Sequence, residues 1–476
     1  MSGFRNGIFQ ENIGSDIMST LKTRENSLGT TSIGSLLLSL AVPAIIANVV
    51  NALYNIVDQI FIGHGIGKLG NASTNVSFPL TTICMAIGLM AGLGSASGFN
   101  LELGKKNEKR ARSIAGTAAV MLVISGVIIS ILLRIFLDPL LILFGATENI
   151  MPYASEYAGI TLLGIPFLMF STGINPLIRA DRSSRYSMTS VILGAILNLI
   201  LDPIFIFVLD LGIKGAAWAT VISQLLSALM MAVYFAHFKS VRFEFSDFIP
   251  RYKEIGHICK LGFNVFVFQF SNLLIQIVMN NMLRTYGEKS IYGGDTPIAA
   301  AGIVMKISVI FFALINGLIN GAQPICSYNY GAEKYGRVRD TVKMFMKLAV
   351  IISAVMWLIF ELFPKPLISL FGSTSDDVLY FDFAVKFMRK YLFFTLINGV
   401  QICSVTFFPA IEKATKGTIL SFTKQLVFRV PLLLIMPLFF GLDGVMYAQM
   451  MTDLLSFSLV VVFLIDEFRK MPKHDL

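Results

Sequence analysis

Charge is what this sequence has least of. Asp, Glu, Lys and Arg make up 14% of its 476 residues, where a soluble domain carries about 25%. Hydrophobic residues make up 55%, and the mean hydropathy is +0.73, which excludes an ordinary soluble fold. Histidine and cysteine are also scarce. The four histidines (His64, His237, His257, His474) fall at the edges of apolar stretches or in the tails, and the four cysteines (Cys84, Cys259, Cys326, Cys403) fall in or beside such stretches. There is no HExxH, no Walker A loop and no pairing of His with Asp or Glu at depth. Those absences argue against an enzyme and against direct use of ATP. The cysteines read as small packing residues, not a disulfide or metal set. Residues 1–34 are polar and lack the apolar core of a cleaved signal peptide, so the first apolar stretch is expected to direct insertion.

What is there in abundance is apolar runs long enough to cross a bilayer, which takes about 20 residues. Twelve such spans are expected at 36–63, 76–99, 114–136, 156–178, 187–209, 213–236, 257–284, 298–328, 341–363, 383–407, 417–440 and 443–465. The loops after the even-numbered spans hold the basic clusters, among them Lys105, Lys106, Lys109, Arg110 and Arg112, or Lys334, Arg337 and Arg339. By the positive-inside rule both termini are cytoplasmic. The net charge of +9 has this cause, so nucleic acid is not expected as a partner. Lys386, Arg389 and Lys390, near the other end of span ten, run against the pattern.

The chain repeats itself. FLDPLLILFG (136–145) returns as FPKPLISLFG (363–372), and Gly104, Arg110 and Arg112 return as Gly331, Arg337 and Arg339. Six spans per half is an even number, so the halves share one orientation and relate by a pseudo-two-fold axis along the membrane normal. The expected fold is an all-α integral membrane protein of two parallel six-helix repeats around a central cavity. Its expected parts are a cytoplasmic tail (1–34), an N-terminal lobe (35–236), a cytoplasmic amphipathic linker (237–256), a C-terminal lobe (257–466) and a second tail (467–476).

Polar residues inside such spans are few. In span one, Asn48, Asn51, Asn55 and Asp58 recur at spacings of 3, 4 and 3, which is one helical face. A carboxylate at that depth costs a few kcal/mol and must face protein or a water-filled cavity. It marks either a site or a structural contact with a neighbouring helix. Asn198 and Asp202 are four apart and share a face of span five. Gln269, Asn272 and Gln276 line one face of span seven. The three asparagines and these three residues are candidates for a substrate cavity. Lys306, Arg429 and Asp453 form an expected charge cluster in the C-terminal lobe, either holding that lobe together or acting as a second proton site.

Three stretches carry a resemblance: NIVDQIFIG (55–63), ILNLILDPIFIF (196–207) and GLINGAQPICSYNYGAEKYGRVRD (317–340). With the duplicated LFG joints, the chain resembles the multidrug and toxic compound extrusion (MATE) family, in its MepA-like branch, related to the DinF-like one. The resemblance implies twelve helices in two lobes. It also implies export of bulky, often cationic aromatic compounds by antiport against protons or sodium, with no cofactor beyond that ion. Family coupling residues carry over, motif to motif, onto Asp58, Asn198, Asp202 and Thr220. By residue count the two acids and Thr220 come to similar depths, about 8–11 Å below the outer surface. Two carboxylates in a dry pocket do not both keep their charge without a proton or cation between them. The coupling carboxylates that another branch places in spans seven and ten are missing, and Val430 stands at the repeat position of Asp202. The implied partners are organic cations, drugs and the lipid bilayer. A monomer in a bacterial plasma membrane is expected. A flippase for lipid-linked saccharides in the same superfamily is the alternative. The major-facilitator signature between spans two and three is absent from LELGKKNEKRAR.

Overall fold

In this computed structural model the described residues are 27–66, 68–146, 148–235, 237–293, 295–369 and 378–472. The side chain of Asn55, residues 1–26 and 473–476 of the expected tails, and 370–377 around the second LFG lie outside the described residues. The described residues are nearly all helical and hold no β-strand. The first six spans are α1 (Ile33–Gly65), α2 (Lys68–Gly104), α3 (Glu108–Ile135), α4 (Met151–Ala180), α5 (Ser184–Pro203) and α6 (Gly212–Phe235). The second six begin with α7 (Tyr252–Gly287), α8 (Asp295–Gly331) and α9 (Tyr335–Leu362). Span ten, α10, is broken into Val378–Tyr391 and Thr395–Ala410; α11 runs from Ala414 to Phe440 and α12 from Asp443 to Lys470. Among the described residues eleven helices are long and apolar enough to cross a membrane, and the bent pair, taken as one span, makes the twelfth.

The broken span departs from the continuous helix expected over 383–407. Its two pieces meet at 51°. The first piece carries Lys386 and Lys390, which pair with Asp443 at 2.7 and 3.0 Å, while Thr395 Oγ1 donates to the Leu392 carbonyl at the break. Three basic residues on one short amphipathic piece are poorly placed in hydrocarbon. The break turns that piece toward the polar end of α12, which accounts for the exception in the loop-charge pattern. Another departure is at the chain's end, where 467–470 continue α12 instead of forming a tail.

The duplication extends to backbone geometry. Left-handed residues occur at Lys106 and Glu333, at Arg182 and Glu412, and at Gly212 and Gly441, in equivalent joints of the two halves. Spans five and eleven each contain a π-helical segment, Ile204–Val208 after Pro203 and Thr423–Arg429 before Pro431. A proline lacks the N–H that closes the α-helical turn, and a five-residue hydrogen-bond spacing is one way a helix absorbs that loss.

At the end that bears Leu28 and Met471 the halves are sealed against each other. Gly104 and its repeat partner Gly331 form a reciprocal contact. A Cβ on Gly104 would lie 2.1 Å from the Tyr328 carbonyl oxygen, and one on Gly331 would lie 2.0 Å from that of Leu101. Nearby, Gly94 sits against the Ile258 carbonyl and Gly262 against that of Met90. Gln323 Nε2 donates to Ser97 Oγ at 2.6 Å, and Lys105 pairs with Glu412 at 2.7 Å. Partial burial works against the Lys105 charge, but Glu412 and Glu102 outweigh it and hold the ammonium above its ordinary pKa. The Lys105 ammonium therefore stays charged at neutral pH. The residues Leu28–Thr31 form a strap over this end: Asn329 Nδ2 donates to the Leu28 carbonyl at 2.8 Å, and Arg337 Nη2 to that of Thr31 at 2.7 Å.

Gly104→Ala and Gly331→Ala are expected to destabilise this closed arrangement by about 1–3 kcal/mol each, as overpacking of a tight contact does. Gly256, where a Cβ meets nothing within 4 Å, is the control. Thermal denaturation of the purified variants checks this, and melting temperatures equal to that of Gly256→Ala would refute the reciprocal contact.

Candidate functional site

In the first half the polar groups collect where α1, α4, α5 and α6 meet. Asp202 is fully buried and Asn198 nearly so, and Asn198 Nδ2 donates to Asp202 Oδ1 at 3.3 Å. Their shared face follows from the four-residue spacing. The Asp58 side chain, half-buried on α1, is in hydrogen-bond contact with Asp202 and with Gln59. Two carboxyl groups in hydrogen-bond contact require a proton or a cation between them, because both as free anions repel. Asp58 Oδ1 and Asp202 Oδ2 are buried without a hydrogen-bond partner. Unmatched buried acceptors are costly, and they are what a small oxygen-seeking cation or a shared proton satisfies.

Thr220 does not bond the acids directly. Its Oγ1 donates to the Ala216 carbonyl at 3.0 Å, and it also meets the hydroxyl of Tyr157, which lies within electrostatic range of Asp58, Asp202 and Tyr54. Sequence reasoning missed Tyr157. A lone tyrosine in a span carries no spacing signal, and the only cue was its place on the helix facing α6. The π-helical turn after Pro203 adjoins this group. A Cβ on Gly65 would come within 2.3 Å of Ile206 Cγ2, and one on Gly215 within 2.7 Å of the Phe205 carbonyl oxygen. The end of α1 and the start of α6 are thus packed tightly on the irregular turn that follows Asp202.

The cavity candidates divide. Asn48 Nδ2 reaches the Ala313 carbonyl on α8 at 3.4 Å, so it ties the halves together, and Asn51 is half-buried on the same face. Gln269 is half-buried, Gln276 is exposed, and Asn272 Oδ1 accepts from Gln425 Nε2 at 3.3 Å.

The charge cluster of the second half has a different membership from the one expected. Lys306 is exposed on α8 and does not pair with Asp453. The residue beside Asp453 is Lys424, with Nζ 3.1 Å from Oδ1. The reason is helical phase. The buried side of α8 is Ala300, Ala301, Val304, Ile307 and Phe311, and Lys306 falls on the opposite side. Lys424 is five residues before Arg429, a spacing that an α-helix splays apart and the π-helical segment Thr423–Arg429 brings together. Asp453 is fully buried. Its Oδ2 accepts from Gln449 and Asn398 at 2.8 and 3.0 Å, and Lys424 also donates to Asn398 and Gln401. Arg429, 8% exposed, donates to Tyr391 and Gln425, both neutral. Asp453 is thus the one carboxylate among two cations, each further held by neutral groups.

Asp453→Asn leaves two buried cations without a carboxylate and is expected to cost about 3–5 kcal/mol, as breaking a buried ion pair does. Replacing both members, Lys424→Met with Asp453→Leu, is expected to recover most of that loss. Thermal melts of the single and double variants decide, and a single variant as stable as the parent would show that the pair holds nothing together.

A family model described as MatE matches residues 43–204 and 265–435, the heart of both halves. The chain is 26% identical over 431 residues to the multidrug export protein MepA of Staphylococcus aureus, covering 89% of this chain and 92% of that one. It is 24% identical over 439 residues to the protein of the same name from Staphylococcus saprophyticus, covering 92% and 95%. Its fold matches an outward-facing multidrug resistance MATE transporter with a TM-score of 0.88, at 23% identity over 95% of this chain and 99% of that one. It also matches a MOP superfamily transporter from Pyrococcus furiosus with a TM-score of 0.86, at 23% identity over 94% and 98%.

Proposed function

This chain belongs to the MatE family, and from that premise we propose that it is a secondary active multidrug exporter, driven by inward flow of protons or sodium. The observation that carries this reading is the contact between the Asp58 and Asp202 side chains, with unmatched acceptor oxygens on both. With a proton or sodium ion between them the pair keeps a single negative charge, and both carboxyls are drawn to the shared ion, so α1 and α5 are held together. Without it the two charges repel in a medium where repulsion is poorly screened. The helices then part, and the π-helical turn beside Asp202 passes the movement to the close contacts at Gly65 and Gly215. Asn198 orients Asp202, and Tyr157 with Thr220 closes the site toward α6. The cargo is a bulky aromatic cation, attracted to the same acids when they are empty, so that ion and cargo exclude each other. The sealed end with its basic loops faces the cytoplasm, by the positive-inside rule, in a bacterial plasma membrane. The export proteins of the staphylococcal relatives support this placement. A flippase for lipid-linked saccharides is the second reading, favoured only by the cations of the second half.

The test is uptake of ethidium into inside-out vesicles under an imposed pH gradient or, separately, a sodium gradient. One gradient is expected to drive uptake, and Asp58→Asn and Asp202→Asn are each expected to lower it at least about tenfold at equal protein level. Indifference of both substitutions would sink the coupling site, and uptake under neither gradient would sink the exporter.

A further inference from the structure

Lys306 is the one charge of the α8 interior that the coupling site does not use, and its surroundings can be read from the register of two helices. Helices α1 and α8 run antiparallel. A Cβ on Gly321 would meet Ala41, one on Gly317 would meet Ile45, and the Ala313 carbonyl takes a hydrogen bond from Asn48. Continued along both helices, this register sets Lys306 at the depth of residues 55–56, within one turn of Asp58. Eleven residues separate Lys306 from Gly317, about 16 Å of helix and three full turns, so the two lie on nearly the same face. That face is open at its upper part: Gly302, one turn from Lys306, has nothing within 4 Å of its Cβ position. The exposed large or polar residues of α8 form a single stripe, Lys306, Val309 and Asn316. The same side presses Gly317 on α1 and directs Gln323 to α2. The opposite side of α8 is buried within its own half. Lys306 therefore lies on the face of α8 that, further along, packs on α1 of the other half, and it has no ion-pair partner among the described residues.

Carboxylates on α1 and α5 and a lone ammonium at the same depth on α8 offer, besides attraction for a cation, a place for an anionic group. We propose that Lys306 is a specificity-determining residue that binds an anionic group, a carboxylate, on the transported solute, so that the cargo class includes zwitterionic aromatic amphiphiles. The amine end of such a solute lies toward the Asp58 wall and its carboxylate meets the Lys306 ammonium, a charge-assisted contact in a cleft of low dielectric. This deepens the exporter reading and rests on it for the word cargo, but the binding itself is measurable without transport.

The probes are rhodamine B, which bears a free carboxylate, and its methyl ester, the same dye as a plain cation. Binding of each to the detergent-solubilised full chain is followed by fluorescence anisotropy. Lys306→Gln is expected to weaken rhodamine B about tenfold and to tighten the ester, since the ammonium that attracts one repels the other. Lys306→Arg, which keeps the charge, is expected to retain the parent's acid-to-ester preference. Opposite movement of the two dyes is a result that a merely structural lysine does not produce. An acid-to-ester ratio unchanged in Lys306→Gln, or no binding of rhodamine B by the parent, would overturn the assignment. Ester binding and gradient-driven ethidium uptake that persist in that case would leave the exporter standing.

Discussion

Hydrocarbon offers no partner to a polar group, so every charge and amide placed inside the bilayer has to find one in the protein or in water. That constraint accounts for most of what is irregular here. Span ten breaks so that Lys386 and Lys390 reach Asp443. The π-helical turn of span eleven brings Lys424 and Arg429 to one side, where Asp453, Asn398, Gln401, Gln425 and Tyr391 receive them. The Asp58–Asp202 pair keeps unmatched oxygens and has no cation paired to either acid among the described residues. Two facing carboxyls inside the bilayer, each with an open oxygen, make a place for something that comes and goes.

The two halves have diverged from a common plan in their charge. Their joints keep the same left-handed residues, and spans five and eleven both contain a π-helical segment. Yet the first half concentrates acids beside its segment and the second half concentrates bases. Duplication supplied the scaffold, and the chemistry was assigned to each copy separately.

Composition and loop charge made the twelve spans legible, since the bilayer imposes length and the apolar excess leaves few alternatives. The duplication was readable from the LFG joints and from Gly104 with Gly331. The Asp58, Asn198 and Asp202 group was visible because an acid inside an apolar run is rare and a four-residue spacing fixes a face. What was not legible depends on departures from regular helix. Lys424 escaped because its nearness to Arg429 exists only in a π-helical segment. Lys306 was assigned to the wrong company because phase relative to the buried side of α8 is a tertiary property. Tyr157 gave no pattern at all. The bend in span ten was signalled by its basic residues, which stood out in the sequence only as an exception to the loop-charge pattern.

The strap at Leu28–Thr31 has a consequence for how the chain is made. Its carbonyls are received by Asn329, Lys334 and Arg337, and the Leu28 to Arg337 bond spans 309 positions. At a synthesis rate of about 5–20 residues per second, the strap waits roughly 15–60 s for its receptor to emerge. Through that interval the first half is inserted while its leading residues have nothing to hold. The strap is then fastened to a part of the chain made up to 309 residues later. A chain that ends before span nine lacks Arg337, so the Thr31 carbonyl is left without its donor and the strap only partly held.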